Sequence, residues 1–182
     1  MKIALSLGHW GKFSRPHDRG ATGTDDQGKL AVEAWEALPL LVEVALRLEH
    51  QGHEVLLLTY GNYSHRNRAA NAWGAELYLE FHLNAGGGRY SMVLYDARGG
   101  DVRQSQALEL AKAMSQAMGN GAYKAVSTQE NGRGHHNISK VKAPAFILEP
   151  AFIDNPGQLR AYREGRAGLV SAVVGWIKGG CL

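Results

Sequence analysis

Cysteine is nearly absent from this chain of 182 residues, and its scarcity limits the chemistry that is available. The single cysteine, Cys181, stands next to the C-terminus, so a disulfide cannot form within the chain. Zinc sites built from several thiolates are excluded for the same reason. A metal site in this protein must therefore use histidine, aspartate or glutamate side chains.

Long apolar runs and blocks of like charge are also missing. The longest apolar stretch near the C-terminus, residues 169–177, is too short to span a bilayer, so we expect no membrane insertion. Lysine and arginine are scattered and the net charge is only +3, which argues against a nucleic-acid partner. The opening residues 1–9 do not resemble a secretory signal peptide, so we expect a protein that is made in the cytoplasm.

The remaining composition is typical of a folded domain, and strands alternate with helices along it. Hydrophobic residues make up 45% of the chain, and we expect residues 1–182 to form a single domain. Strands are predicted at residues 2–7, 54–59, 76–83, 92–95 and 144–150, and helices at residues 30–51, 66–74, 104–118 and within 156–178. This alternation predicts an α/β layer fold with a largely parallel sheet.

The glycine-rich and polar segments 10–29 and 119–142 are predicted loops, the second with one small strand near Ala125. Pro39 lies inside the first predicted helix, so that helix either is kinked there or begins there. The helix over residues 104–118 is predicted to bury Leu108, Ala111, Met114 and Met118.

Ionisable residues stand where the predicted strands end. His9 follows the first strand, His82 lies near the end of the central one, and Glu149 ends the last. Ligands of open α/β sheets bind beyond the carboxyl ends of the strands, and an ionisable side chain in an apolar strand is costly unless it is satisfied. Glu33, which opens the first long helix, is a fourth candidate because such folds place that helix end nearby.

Two histidines and one carboxylate with an open fourth position are typical of a catalytic zinc site. Zinc lowers the pKa of a bound water to about 7 and polarises a carbonyl under attack. A second carboxylate can then carry the proton to the leaving nitrogen, a role worth roughly 10²–10⁴-fold in rate. These residues favour a metal hydrolase. The alternative for each residue alone is a structural role, as a hydrogen-bonded histidine or a helix-capping glutamate.

A series of short motifs then matches a known family in order along the chain. They are Leu-Gly-His-Trp-Gly at residues 7–11, Gly-Ala-Thr-Gly at 20–23, Glu33 ahead of Gly52 and the strand 54–59, Arg66 through Asn71, Glu-Phe-His-Leu-Asn-Ala at 80–85, and Pro-Ala-Phe-Ile-Leu-Glu at 144–149 with Phe152 through Asn155 after it. Together they resemble the zinc-dependent N-acetylmuramoyl-L-alanine amidases of the amidase 3 type, which serve in cell-wall remodelling and as phage lysins.

The resemblance implies a single catalytic amidase domain with a twisted, mainly parallel sheet that is flanked by helices on both faces. It implies one zinc ion held by His9, Glu33 and His82, with Glu149 as the general acid/base. The reaction would be hydrolysis of the amide between N-acetylmuramic acid and the L-alanine of the peptidoglycan stem peptide. Glu36 remains a competing ligand, because it lies three residues after Glu33 on nearly the same helical face.

The chain departs from the family pattern in four ways. Trp10 replaces a glycine of the opening motif, and the loop between His9 and Glu33 is longer than usual. Glu80 stands where many members have serine, and Pro150-Ala151 replaces the usual residues between the glutamate and the phenylalanine of the last motif.

Three further residues are candidates for substrate binding: Asn84, His135 and His136. His17, in the long first loop, is interpreted as solvated.

Peptidoglycan is the expected partner, and the favoured setting is a phage endolysin that reaches the wall through a holin. A bacterial lytic enzyme is the alternative setting. The alternative functions are a zinc carboxypeptidase or aminoacylase acting on free peptides and a non-catalytic peptidoglycan-binding module. The wall type, the oligomeric state and the native metal are left open.

Overall fold

The computed structural model describes residues 1–9 and 18–180. The strands are β1 Lys2–Leu7, β2 Thr22–Thr24, β3 Leu30–Val32, β4 Glu54–Leu58, β5 Leu77–Phe81, β6 Ser91–Tyr95, β7 Tyr123–Ser127 and β8 Ala145–Glu149. The helices are α1 Glu33–His50, α2 Tyr63–Trp73, α3 Gly100–Ala117, α4 Thr128–Asn131, α5 His135–Ile138, α6 Pro156–Glu164 and α7 Arg166–Lys178. The predicted strands are therefore all present, including the small one near Ala125, which is β7.

The main sheet has the strand order β4-β1-β5-β8-β6-β7. Strands β4, β1, β5 and β8 pair in parallel, whereas β6 runs antiparallel to β8 and carries β7 as a parallel edge. The predicted α/β fold with a mainly parallel sheet is confirmed. Because β1, β5 and β8 are neighbours and run the same way, the residues that follow them meet at one edge of the sheet.

Helices cover both faces of the sheet, as expected. On β5, Leu77 and Leu79 belong to the larger core cluster, which also contains buried residues of α1, α3 and α7. Tyr78, between them, points to the opposite face and belongs to the smaller cluster with Ala70 of α2 and Ile138 of α5. This period of two is what a strand buried on both faces requires. In the described part of the chain, no helix is long and apolar enough to cross a bilayer.

The prediction for residues 22–32 was wrong in detail. Residues 30–32 form a strand and are not the start of the first helix, and they pair antiparallel with β2 inside the segment predicted as loop. The connecting turn is built by Asp25, whose carboxylate accepts hydrogen bonds from the backbone N–H groups of Gln27 and Lys29. Helix α1 then begins at Glu33 and runs through Pro39, so it does not begin at the proline.

The buried face of α3 differs from the prediction at one position. Leu108 is 43% exposed, whereas Ala107, Leu110, Ala111 and Met114 are buried. The helix begins at Gly100, and its buried stripe is centred on positions 107, 110, 111 and 114, which follow the helical spacing. Leu108 lies about 100° further round the helix than Ala107 and therefore faces solvent.

Candidate active site

The three predicted metal ligands come together at the carboxyl edge of the sheet. His9 follows β1, Glu33 is the first residue of α1, and His82 follows β5. One nitrogen or oxygen atom of each lies within 4.8 Å of those of the other two. Nδ1 of His82 is 2.8 Å from Oε1 of Glu33, and Nε2 of His9 is 3.4 Å from its Oε2. Each carboxylate oxygen of Glu33 therefore faces one histidine.

Glu33 is held in place by backbone donors from two distant segments. The N–H of Ala21 donates to Oε2 at 2.7 Å, and the N–H of Leu83 donates to Oε1 at 3.2 Å. Burial acts to raise the pKa of Glu33, but the hydrogen bonds with His82 and His9 outweigh it and hold the pKa well below its usual range. Its place at the N-terminus of α1 also favours the charged form. Glu33 is thus ionised at neutral pH, as a metal ligand must be.

Each histidine also has a carboxylate on its other ring nitrogen. Nδ1 of His9 is 3.0 Å from Oδ1 of Asp18, and Nε2 of His82 is 2.8 Å from Oε1 of Glu80. The nitrogen that faces Glu33 is consequently Nε2 in His9 and Nδ1 in His82. Burial acts to lower the pKa of both histidines, but the contacts with carboxylates outweigh it and raise both pKa values.

This donor set fits a divalent metal. Two imidazole nitrogens and one carboxylate match the ligands of a catalytic zinc site, and the carboxylates behind the histidines match the outer partners that usually orient such ligands. The fit is also steric, because the ligands lie at the wall of an open cleft of about 320 Å³. A small ion and a substrate group can therefore reach them from one side.

Two glycines lie where a larger residue would collide with His82 or Glu33. A Cβ atom on Gly8 would lie 2.5 Å from Nε2 of His82. Gly20 has a φ of 78°, and a Cβ atom there would lie 2.5 Å from Oε2 of Glu33. Any larger residue at either position would displace a ligand, which explains why the first two sequence motifs contain these glycines.

His9 itself has a strained backbone. Its φ of 63° is the only positive value at a non-glycine position in the part of the chain that the structure describes. Such a conformation costs on the order of 1–3 kcal/mol and persists only when the surroundings enforce it. The buried guanidinium of Arg66 donates to the carbonyl of Leu7 just before this turn, and Asp18 holds the ring.

Glu149 lies in the same cleft as the metal ligands. It ends β8, is 4% exposed, and forms an ion pair with Arg133, whose Nη2 lies 2.7 Å and 2.8 Å from the two carboxylate oxygens. Burial raises the pKa of Glu149, and the positive charge of Arg133 opposes this only in part. A carboxyl group with a raised pKa, buried in a cleft beside a metal site, is suited to proton transfer.

The comparison with known proteins gives the family of the chain. Residues 3–173 match the sequence profile of the amidase 3 family, described as N-acetylmuramoyl-L-alanine amidase. The chain belongs to the amidase 3 family.

Individual relatives support the same assignment. Over 166 residues, 85% of this chain, it is 29% identical to the sporulation-specific N-acetylmuramoyl-L-alanine amidase of Bacillus subtilis (strain 168). The chain spans 57% of the length of that relative. Its fold matches the catalytic domain of CwlV, an N-acetylmuramoyl-L-alanine amidase from Bacillus (Paenibacillus) polymyxa, with a TM-score of 0.78 at 19% identity, covering 98% of this chain and 97% of that one. The amidase from Clostridium difficile 630 matches with a TM-score of 0.80 at 17% identity, covering 98% and 95%.

The structure places Glu36 away from the cluster. Its carboxylate forms a two-pronged ion pair with Arg163 of α6, with distances of 2.6 Å and 3.0 Å. Of the two competing glutamates, Glu33 is therefore the one that lies with the histidines in this amidase 3 domain. The two residues are three apart on α1, but only the first lies next to His82.

The three candidate substrate-binding residues differ in how they lie relative to the cleft. Asn84 is buried, and its side-chain oxygen accepts a hydrogen bond of 3.0 Å from Arg133, so it supports the partner of Glu149. His135 and His136 are not among the residues that line the cleft, whereas Gly134 and Asn137 on either side of them are. Residues three apart in a helical turn share a side, which leaves the histidines facing elsewhere. Substrate binding by Asn84, His135 and His136 stays a prediction, and Trp10 and His17 lie outside the described residues.

Sequence reasoning missed three residues of the site: Arg133, Asp18 and Glu80. Arg133 is flanked by glycines in the left-handed region, and a cationic residue in such a segment just ahead of the last strand was a usable signal. Glu80 was noted only as a departure from the family pattern, although the period of two in β5 puts it on the same side as His82. Asp18 shows no local signal, because its role depends on how the loop folds back onto His9.

Proposed function

We propose that this chain is a zinc-dependent N-acetylmuramoyl-L-alanine amidase that cleaves the amide between N-acetylmuramic acid and the L-alanine of the peptidoglycan stem peptide. The observation that supports this most is the placing of Glu149 in one cleft with the His9, Glu33 and His82 cluster. Membership of the amidase 3 family and the activity named for the Bacillus subtilis relative give the substrate class.

In this proposal His9, Glu33 and His82 hold a single zinc ion. A bound zinc ion supplies Lewis-acid activation of a water molecule and of the scissile carbonyl. Asp18 and Glu80 lie 3.0 Å and 2.8 Å from the ring nitrogens of His9 and His82 that face away from Glu33, and would keep the two rings in place around a bound ion. Glu33 brings a negative charge that compensates part of the charge of the metal.

Glu149 performs the proton transfers. Its carboxylate takes a proton from the attacking water, and the resulting carboxyl group gives a proton to the nitrogen of the departing L-alanine. Arg133 contacts both oxygens of Glu149 and, through Asn84, is tied to the segment that follows His82. The base is therefore fixed relative to the metal ligands before substrate arrives.

The test is the release of new amino termini from purified peptidoglycan, with the exposed residue identified. We expect new N-terminal L-alanine, lost with a chelator and restored by added zinc. New termini at another residue would replace the amidase with a zinc peptidase that cuts within the stem. Failure to release termini from any wall type, with zinc bound, would contradict the proposal.

A control variant tests which of the two glutamates of α1 binds the metal. Glu36→Gln alters a carboxylate on α1 that is paired with Arg163 and lies outside the cluster. It should keep zinc and amidase activity, whereas Glu33→Gln should lose both.

The phage endolysin setting, with exit through a holin, stays a prediction that host lysis by co-expression with a holin would test.

A further inference from the structure

Glu80 is a fully buried carboxylate at the centre of the sheet. Its side chain is 0% exposed, and it lies two residues before His82 on the same side of β5. An uncompensated charge in such a place is costly, so a buried carboxylate needs several donors or a positive charge beside it. The residues around Glu80 supply both.

Both carboxylate oxygens of Glu80 have hydrogen-bond partners. Oε1 is 2.8 Å from Nε2 of His82 and 2.5 Å from Nδ2 of Asn137, which lies in α5. Oε2 accepts from the hydroxyls of Tyr78 at 3.0 Å and Ser6 at 3.2 Å. Its four partners come from β1, β5, α5 and the residue that follows β5, so the carboxylate cannot turn away from His82.

Arg66 of α2 adds the positive charge. It is 1% exposed, and its Nη1 donates to Oγ of Ser6 at 3.3 Å and to the carbonyl of Leu7. A chain of contacts thus runs from Arg66 through Ser6 and Glu80 to His82. It joins α2 on one face of the sheet to a ligand at the carboxyl edge.

We propose that Glu80 is a positioning residue for the metal, which acts by holding the proton of His82 on Nε2 and so presenting Nδ1 as the ligand atom. The inference rests on the proposed zinc site. A histidine ring can carry its proton on either nitrogen, and the partner of one nitrogen decides which atom is left to bind a metal. Glu80 fixes that choice from a site that substrate does not touch.

The contact between His9 and Asp18 is more exposed to solvent than the contact between His82 and Glu80. The side chains of His9 and Asp18 are 27% and 35% exposed, whereas those of His82 and Glu80 are 7% and 0% exposed. Water screens the first pair and not the second. The geometry therefore makes Glu80 more important than Asp18 for metal affinity.

The first experiment measures zinc affinity by competition with a chromophoric chelator in the wild type, Glu80→Gln and Tyr78→Phe. Glu80→Gln keeps the size of the side chain but removes the charged acceptor, and we expect the zinc Kd to rise roughly 10- to 100-fold. Tyr78→Phe is the matched control, because it removes a donor to Oε2 and leaves the contact between Oε1 and His82 intact. Thermal unfolding of both variants without metal shows whether either has lost its fold.

A purely structural role for Glu80 would lower stability in both variants without a selective change in zinc affinity. The role proposed here changes zinc affinity in Glu80→Gln by at least tenfold more than in Tyr78→Phe. Equal zinc affinity in the wild type and Glu80→Gln would overturn it while leaving the proposed function intact. Failure of the wild type to bind zinc would overturn both.

A second measurement needs no variant. Long-range ¹H–¹⁵N NMR spectra of the zinc-loaded wild type report which ring nitrogen of His82 carries the proton. We expect the proton on Nε2 and the metal-shifted resonance on Nδ1. The reverse pattern would overturn the proposal, even if Glu80→Gln failed to fold.

Discussion

At the scale of single residues, the candidate site pairs a buried carboxylate, Glu149, with the guanidinium of Arg133. The carboxylate is almost completely buried, and the side chain of Arg133 that contacts it is 45% exposed. The pKa of Glu149 stays above its ordinary value, because the partly solvated cation offsets the effect of burial only in part. This balance is what a group that accepts and then returns a proton requires.

The role of Glu149 predicts that Glu149→Gln and Glu149→Ala keep the fold and bind zinc but lose amidase activity. Replacing the base removes proton transfer, so kcat should fall roughly 10²–10⁴-fold. Peptidoglycan digestion assays on protein with verified zinc content provide the measurement. Digestion at the wild-type rate by either variant would rule out Glu149 as the proton carrier.

The ion pair between Glu149 and Arg133 predicts how amidase activity depends on pH. Burial raises the pKa of Glu149, so activity should decline on the acid side at a pH above that expected for an ordinary glutamate. The cation opposes the rise, and Arg133→Met should raise the pKa of Glu149 further and move the acid limb to higher pH. The profile of kcat/KM against pH, with zinc content checked at each pH, gives the measurement. A shift to lower pH would contradict this assignment.

At the scale of elements, the β2–β3 hairpin follows one of the two residues that donate to the carboxylate of Glu33 and packs against neighbouring segments. Ala21 donates to its carboxylate, and Gly23 approaches so closely that a Cβ atom there would collide with the carbonyl of Ile153. The turn of the hairpin is tied to α6 through Asp25, which pairs with Arg163 at 2.9 Å. Arg163 also pairs with Glu36, so one side chain joins the hairpin, α1 and α6.

This junction predicts that Arg163→Ala destabilises the fold. The variant leaves the carboxylates of Asp25 and Glu36 without their cation, so we expect the midpoint of urea unfolding to fall. Arg160→Ala is the control, because Arg160 pairs with Asp26 where both side chains are well exposed, 59% and 47%. Its effect on urea unfolding should be smaller. Equal effects would show that the junction adds nothing beyond a surface ion pair.

At the scale of the whole molecule, the candidate metal site joins the amino-terminal and central parts of the chain. Its three residues follow β1, open α1 and follow β5, and Ala21, just before β2, donates a hydrogen bond to Glu33. Without a metal, two histidines and several carboxylates must share this small space. An ion bound only by the folded chain therefore stabilises the entire domain by mass action.

We expect removal of zinc to lower the melting temperature. At a free zinc concentration about 100 times the Kd, binding contributes about 2.7 kcal/mol, which for a chain of this length corresponds to a shift of roughly 5–10 °C. Differential scanning calorimetry with chelator and with zinc provides the measurement. His9→Ala should show no such difference. A wild-type melting temperature that is indifferent to bound zinc would argue against the shared site.

Much of the site could be predicted from the sequence because it follows from local pattern. The alternation of apolar residues placed β1, β5 and β8 in the chain, and parallel strands bring their carboxyl ends to one edge. That is enough to bring His9, His82 and Glu149 together. The error at Leu108 arose from the same kind of reasoning, because a helical stripe can be moved by one residue without a change in composition.

Only the tertiary structure decided which groups surround these residues. The choice between Glu33 and Glu36 depended on Arg163, more than a hundred residues away. Glu80, behind His82, takes one of its donors from α5, and Glu149 is paired with Arg133. Strand and helix periodicities report which face a residue occupies, since they arise from the backbone geometry of neighbouring residues. They carry no information on which distant charge will lie opposite, because that depends on how the separate elements pack.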